Sequence, residues 1–162
     1  MQIVLRASGS EQVYGEYLRE QDIADIVRLE GMIPYADALA EMMRADGLLI
    51  FQASNSNWQV PAKAYEYLRA RRPILALTDP AGDTARVLKG EGIDTIARLD
   101  SREDIARGLL DFLGRVHDGS APIATDAGIL RHSRRFRTQE LASMLDSLRK
   151  DVGALAGAIG PR

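Results

Sequence analysis

At 162 residues and 46% hydrophobic content, the chain has room for one domain with a proper core, or slightly more. A formal net charge of -2 with 27% charged residues argues against nucleic acid, whose binders carry a basic excess on one face. The lack of cysteine excludes disulfides and thiolate metal sites. With no secretory leader pattern and no apolar run near the ~18 residues of a membrane span, the expectation is a cytoplasmic protein without a transmembrane segment.

Taken in order, Gln2 to Ala7 is a short β-branched run closed by Ser8-Gly9-Ser10, and Tyr14, Tyr17 and Leu18 then recur at helical spacing. Asp25 to Gly31 reads as a second strand ending at a glycine. Met32-Ile33-Pro34 leads into a helix whose core face is predicted to be Tyr35, Ala38, Leu39, Met42 and Met43. Gly47 to Gln52 is a continuous apolar run, the pattern of a parallel strand buried on both faces.

A polar stretch follows and ends at Pro61, which suits a first helical position; Asn57 or Gln59 can supply the cap. In that helix Ala64, Tyr65 and Leu68 share one side, with Lys63 and Glu66 on the open side of the first two turns. Pro73 stops the helix and opens a fourth strand through Leu77. Asp79 or Asp83 can cap the next helix, and Ile93 to Ala97 is a fifth strand. Ser101-Arg102-Glu103-Asp104 approximates a capping box before a helix with apolar positions Ile105, Leu109, Leu110 and Leu113.

Strands alternating with helices at this period predict an α/β fold, a Rossmann-like doubly wound parallel sheet of about five strands, over residues 1–117. Residues 118–152 are predicted to be a linker and a C-terminal helical arm with apolar positions Leu141, Met144, Leu145, Leu148 and Val152; 153–162 is a tail. The basic cluster Arg131, Arg134, Arg135 and Arg137 reads as a solvated or partner-facing arm. An exposed apolar stripe on the last helix invites a homodimer or a helix folded back on its own sheet.

In an open α/β sheet, ligands sit between a strand's carboxyl end and the next helix, whose N-terminus favours anions. The stretch Pro61-Ala62-Lys63-Ala64-Tyr65-Glu66-Tyr67-Leu68-Arg69-Ala70-Arg71-Arg72-Pro73-Ile74-Leu75 occupies that position. It resembles the P-[SA]-K-x-x-E-Y-L-x-x-x-[RK]-P-[IV]-[LI] signature of the C-terminal, nucleotide-sugar-binding domain of GT-B glycosyltransferases close to family 4. The resemblance covers roughly Gln2 to Leu113 and, more loosely, Arg134 to Arg149.

The resemblance implies a donor-binding domain for a UDP- or GDP-linked sugar, with Glu66 taking the ribose hydroxyls and Lys63 the diphosphate. Gly31 and Ile33 correspond to the main-chain groups that hold the nucleobase, and Asn57, Trp58 and Pro61 line the donor loop. Trp58 stands where the family's E-x7-E pattern has its first glutamate; it can stack on a base or sugar, or plug the loop onto the domain. The bland alternatives are a solvated helix-face Glu66 paired with Arg69 or Arg71 and a plain surface Lys63.

No catalytic residue is expected in this chain, because in the family the acceptor-binding N-terminal domain usually carries the base. The resemblance thus lacks that domain and the family's first strand, and makes a fragment of a longer glycosyltransferase the expectation. No cofactor or metal is expected: D-x-D is absent, His117 and His132 have no carboxylate at ligand spacing and read as surface residues, and no G-x-S-x-G, P-loop or G-x-G-x-x-G occurs. The alternative is a non-enzymatic Rossmann-like binding or interaction module.

Overall fold

The computed structural model describes the backbone of residues 1–158 and the side chains of residues 1–149. The chain forms two compact units, residues 1–41 and 42–162, each described by itself. Its class is α/β, with parallel strands throughout.

In the first unit β1 (Ile3–Arg6) pairs in parallel with β2 (Val27–Glu30), with α1 (Glu11–Glu20) between them in the chain. Leu18 is buried, as its helical spacing predicts, but Tyr14 and Tyr17 are exposed. The helix α2 (Tyr35–Arg44) begins here, and its expected core face is only partly formed: Tyr35 and Met43 are exposed, while Ala38, Leu39 and Met42 are half-buried. Arg6 joins the unit together. Its guanidinium donates to both Glu41 carboxylate oxygens, at 3.0 and 2.6 Å, and to the Gly31 carbonyl at 2.7 Å.

In the second unit β3 (Leu48–Phe51), β4 (Ile74–Leu77) and β5 (Ile96–Ala97) form a parallel sheet in that order. Its helices are α3 (Ala62–Ala70), α4 (Asp83–Gly90), α5 (Arg102–His117), α6 (Asp126–Arg131) and α7 (Arg134–Ala158). Successive side chains of a strand point to opposite faces, and the buried central strand β4 shows it. Ile74 and Ala76 pack with Ala64 and Leu68 of α3 and Leu88 of α4 on one side. Leu75 and Leu77 pack with Phe112 of α5 on the other. Helices thus cover both faces of this three-stranded sheet.

The sequence predicts a single sheet of about five strands; among the described residues the hydrogen bonds join five strands as two sheets, one of two strands and one of three. Hydrophobic alternation marks where a strand lies and carries no information on which strand it pairs with. Three local readings also shift. Pro61 is the residue before the helix (φ -64, ψ 141) rather than its first helical position, and neither Asn57 nor Gln59 caps it. On α5, Leu110 is 72% exposed and Phe112 takes the core position, its ring filling the space that the missing Cβ of Gly47 leaves open. The backbone of α7 runs on through residues 153–158, which the sequence reading assigns to the tail; the Val152 side chain and residues 159–162 lie outside the described part.

Ser101 does cap α5, accepting from the Asp104 N–H at 3.1 Å. The stretch 118–125 crosses the surface as expected until Ala124, which is buried, and Thr125 then caps the short helix α6, which the sequence reading did not separate from the arm.

Candidate functional site

The loops after β3 and β4 leave the carboxyl ends of two adjacent parallel strands, the position where open α/β sheets bind ligands. Gln52, the first residue past β3, is nearly buried and organises the first loop. Its Nε2 donates to the Ser56 carbonyl at 2.8 Å and the Gln59 carbonyl at 2.6 Å, and its Oε1 accepts from the Thr84 hydroxyl of α4. The C-terminal end of the 3-10 turn Ser54–Ser56 and the approach to α3 are thereby held by one side chain.

The second loop is tied to the first through Asn57 and Asp79. Asn57 Nδ2 donates to Asp79 Oδ2 at 2.6 Å, and the Asn57 carbonyl accepts from the Asp83 N–H at 2.8 Å. Asp79 Oδ1 accepts from the Ala81 N–H at 2.9 Å. The Ala81 N–H, then the Asn57 amide, hold the Asp79 carboxyl below its ordinary range; Arg98 adds to them, and burial opposes. Neither Asp79 nor Asp83 caps α4, which starts after Gly82. Asn57 Oδ1 is buried with no partner among the described residues, beside Gly82, where a Cβ would come within 3.2 Å of it.

No side chain caps α3; in its first turn the Ala64 N–H donates to the Pro61 carbonyl at 2.9 Å, and the N–H groups before it have no side-chain cap. Lys63 is exposed in that turn and has no ion-pair partner among the described residues. Glu66 follows one turn on, half-buried and engaged within the protein rather than solvated. Burial, with the Glu66 charge second, raises the Tyr67 phenol above its ordinary range. Arg71 pairs with Asp126 and not with Glu66. Trp58 is 88% exposed, so it does not plug the loop.

Of the predicted residues, Asn57, Trp58, Pro61, Lys63 and Glu66 therefore share one loop and helix start. Gly31 and Ile33 belong to the first unit, where the Gly31 carbonyl already accepts from Arg6. Gln52, Asp79 and Thr84 were missed. A glutamine directly after four apolar strand residues was the available signal for Gln52; the other two declare themselves only through contacts 22 to 32 residues apart.

His132 is corrected outright. It is no surface residue: its Nε2 lies 2.9 Å from Glu91 Oε1, with the side chain 11% exposed. Glu91 is 41 residues away in the chain, which is why local spacing does not show it.

A depression of about 450 Å³ opens elsewhere, beside β5 and α5, and contains Arg98, Arg107 and Arg115. Each is already paired, with Asp100, Asp104, and Asp94 and Asp111 respectively, so it offers no uncompensated positive charge. Among the described residues no three His, Asp or Glu side chains gather within reach of one metal ion, and no helix is long and apolar enough to cross a membrane. In comparison with known proteins, no family model, no curated protein and no solved structure matches the chain.

Proposed function

We propose that residues 57–66 bind the diphosphate and ribose of a nucleotide sugar, and that the chain is the donor-binding part of a glycosyltransferase of the GT-B type. The observation that carries this reading is the uncapped start of α3, with exposed Lys63 in its first turn and Glu66 one turn later. A helix N-terminus carries about half a positive charge and stabilises an anion by about 0.3–1 kcal/mol when exposed. A lysine in that turn opposes the helix dipole, and a bound diphosphate reverses the sign. In this reading Glu66 accepts both hydroxyls of a ribose whose phosphate sits on the turn, and Trp58, 88% exposed, offers a face for stacking. The reading brings with it the family's Rossmann-like doubly wound fold, a UDP- or GDP-linked donor, and an acceptor held by another domain.

The test is an NMR titration of the chain with UDP, GDP and uridine, first with EDTA and then with magnesium. Shifts should cluster on residues 57–66, with the same affinity in both buffers. Absence of binding, or shifts confined to other residues, rejects the site and favours an interaction module on the same fold.

A further inference from the structure

Glu91 takes no part in the donor site, yet it is the most deeply placed carboxylate among the described ion pairs, with its side chain 5% exposed at the end of α4. Two basic side chains, from the last residue of α6 and the one after it, converge on it. Arg131 donates from Nε to Oε1 at 3.3 Å and from Nη2 to Oε2 at 3.0 Å, and His132 Nε2 stands 2.9 Å from Oε1. The His132 ring lies 5.3 Å from the Tyr65 ring of α3, tilted by 42°. Its Nδ1 is buried and has no partner among the described residues. Gly128 makes the room: a Cβ there would stand 2.1 Å from Glu91 Oε2.

Polar contacts join a small apolar contact in attaching this segment. Between 124 and 132, Ala124 and Gly128 are buried and Ile129 packs partly on the core, while Leu130 faces solvent. Asp126 adds an exposed pair with Arg71 on α3. A short segment, its helix six residues long, that places only Ala124 and Ile129 on the apolar core and leans on one buried carboxylate belongs to the low-stability end of a fold. An orphaned imidazole nitrogen lowers the cost of opening further, because exposure returns it to water.

We infer that residues 124–132 form a strap that opens independently of the sheet, that the ionised Glu91 carboxylate is its latch, and that opening bares the Tyr65 side of α3 and frees α7. Burial raises the Glu91 pKa, but the hydrogen bonds and charges of Arg131 and His132 outweigh it, leaving the net value below the ordinary 4.5. A folded pKa below the unfolded one gives a contribution that is complete above the ordinary value and is lost as pH falls through the folded one. The groups facing the latch are Arg131 and His132 from the strap and, across the His132 ring, Tyr65 from α3. On α4 itself, Lys89 is engaged elsewhere, donating to the Pro80 carbonyl at 3.0 Å.

Amide hydrogen exchange on the purified chain tests this. The strap reporters are Ile129 and His132, bonded to the Thr125 and Gly128 carbonyls; the sheet reporters are Ala76 and Thr78, bonded to the Thr95 and Ala97 carbonyls. In the parent the strap should exchange at least about tenfold faster than the sheet. Glu91→Gln should speed the strap by roughly another tenfold or more, with the sheet unchanged. Gly128→Ala should do the same while keeping the charge, by displacing the carboxylate. After correction for intrinsic rates, lowering the pH through the Glu91 range should open the strap in the parent and not in Glu91→Gln. Strap and sheet exchanging together in the parent, or strap protection unchanged in Glu91→Gln, overturns the inference. Should Glu91→Gln fail to fold, unchanged strap protection in both Gly128→Ala and the parent's pH series overturns it. None of these readings depends on nucleotide binding, so the strap and the donor site fail separately.

Discussion

Asn57 Nδ2 donates to Asp79 Oδ2 over 2.6 Å, joining the loop after β3 to the loop after β4 across the carboxyl ends of the two strands. The bond favours the ionised carboxylate, together with the Ala81 N–H, and so makes the closed loop pair a feature of the charged state. Because the folded pKa lies below the unfolded one, this contribution is present above the ordinary carboxylate pKa and is lost as pH falls through the folded value. Asn57→Ala should lower the Tm at neutral pH and flatten its acid-side decline. Melting curves from pH 7 to pH 3 check this, and a slope equal to the parent's would show that Asn57 does not hold Asp79.

Nucleotide binding should depend on Glu66. Hydrogen bonds to a charged group are worth about 1.5–3 kcal/mol, so Glu66→Ala should weaken UDP or GDP by roughly one to two orders of magnitude. Lys63→Ala should weaken the diphosphates and spare uridine, because the lysine meets phosphate only. Calorimetry on both variants decides: a Glu66→Ala chain that binds as tightly as the parent removes the ribose assignment.

The α5 face of the sheet rests on Phe112 and not on Leu110. Phe112→Ala removes a buried ring next to Leu75 and Leu77 and should cost about 3–5 kcal/mol in urea unfolding. Gly47→Ala would set a Cβ 2.6 Å from the Phe112 ring and should cost about 1–3 kcal/mol through overpacking. Leu110→Ala, at an exposed position, should stay within ~0.5 kcal/mol. A Leu110 variant more damaging than the Phe112 one would contradict this packing.

Leu141, Met144, Leu145 and Leu148 of α7 are all exposed, so among the described residues this stripe is not folded back on the sheet. The prediction is a homodimer that covers it. Sedimentation should give a dimer for the parent and a monomer for Leu145→Glu, with a nearly unchanged Tm because no core contact is removed. A monomeric parent at high concentration excludes the dimer.

The sequence by itself determined the local elements, because their signals are local. Apolar runs placed five strands within about three residues of their observed ends, Ser101 announced the start of α5 through a cap three residues long in reach, and Ala64 and Leu68 lay on the buried side of α3 as their spacing requires. The loop and helix start that present Asn57, Trp58, Lys63 and Glu66 were legible for the same reason. Tertiary structure alone decided the rest. Which strands hydrogen-bond, that Phe112 displaces Leu110 from the core, that Gln52 and Thr84 hold the loop, and that Glu91 receives His132 are contacts between residues distant in the chain. Each is set by which surfaces meet after the elements have formed. A four-residue strand pairs with whichever neighbour buries its apolar side chains, and a buried polar group binds whichever partner the packing brings within reach; neither choice is written in the spacing of nearby residues.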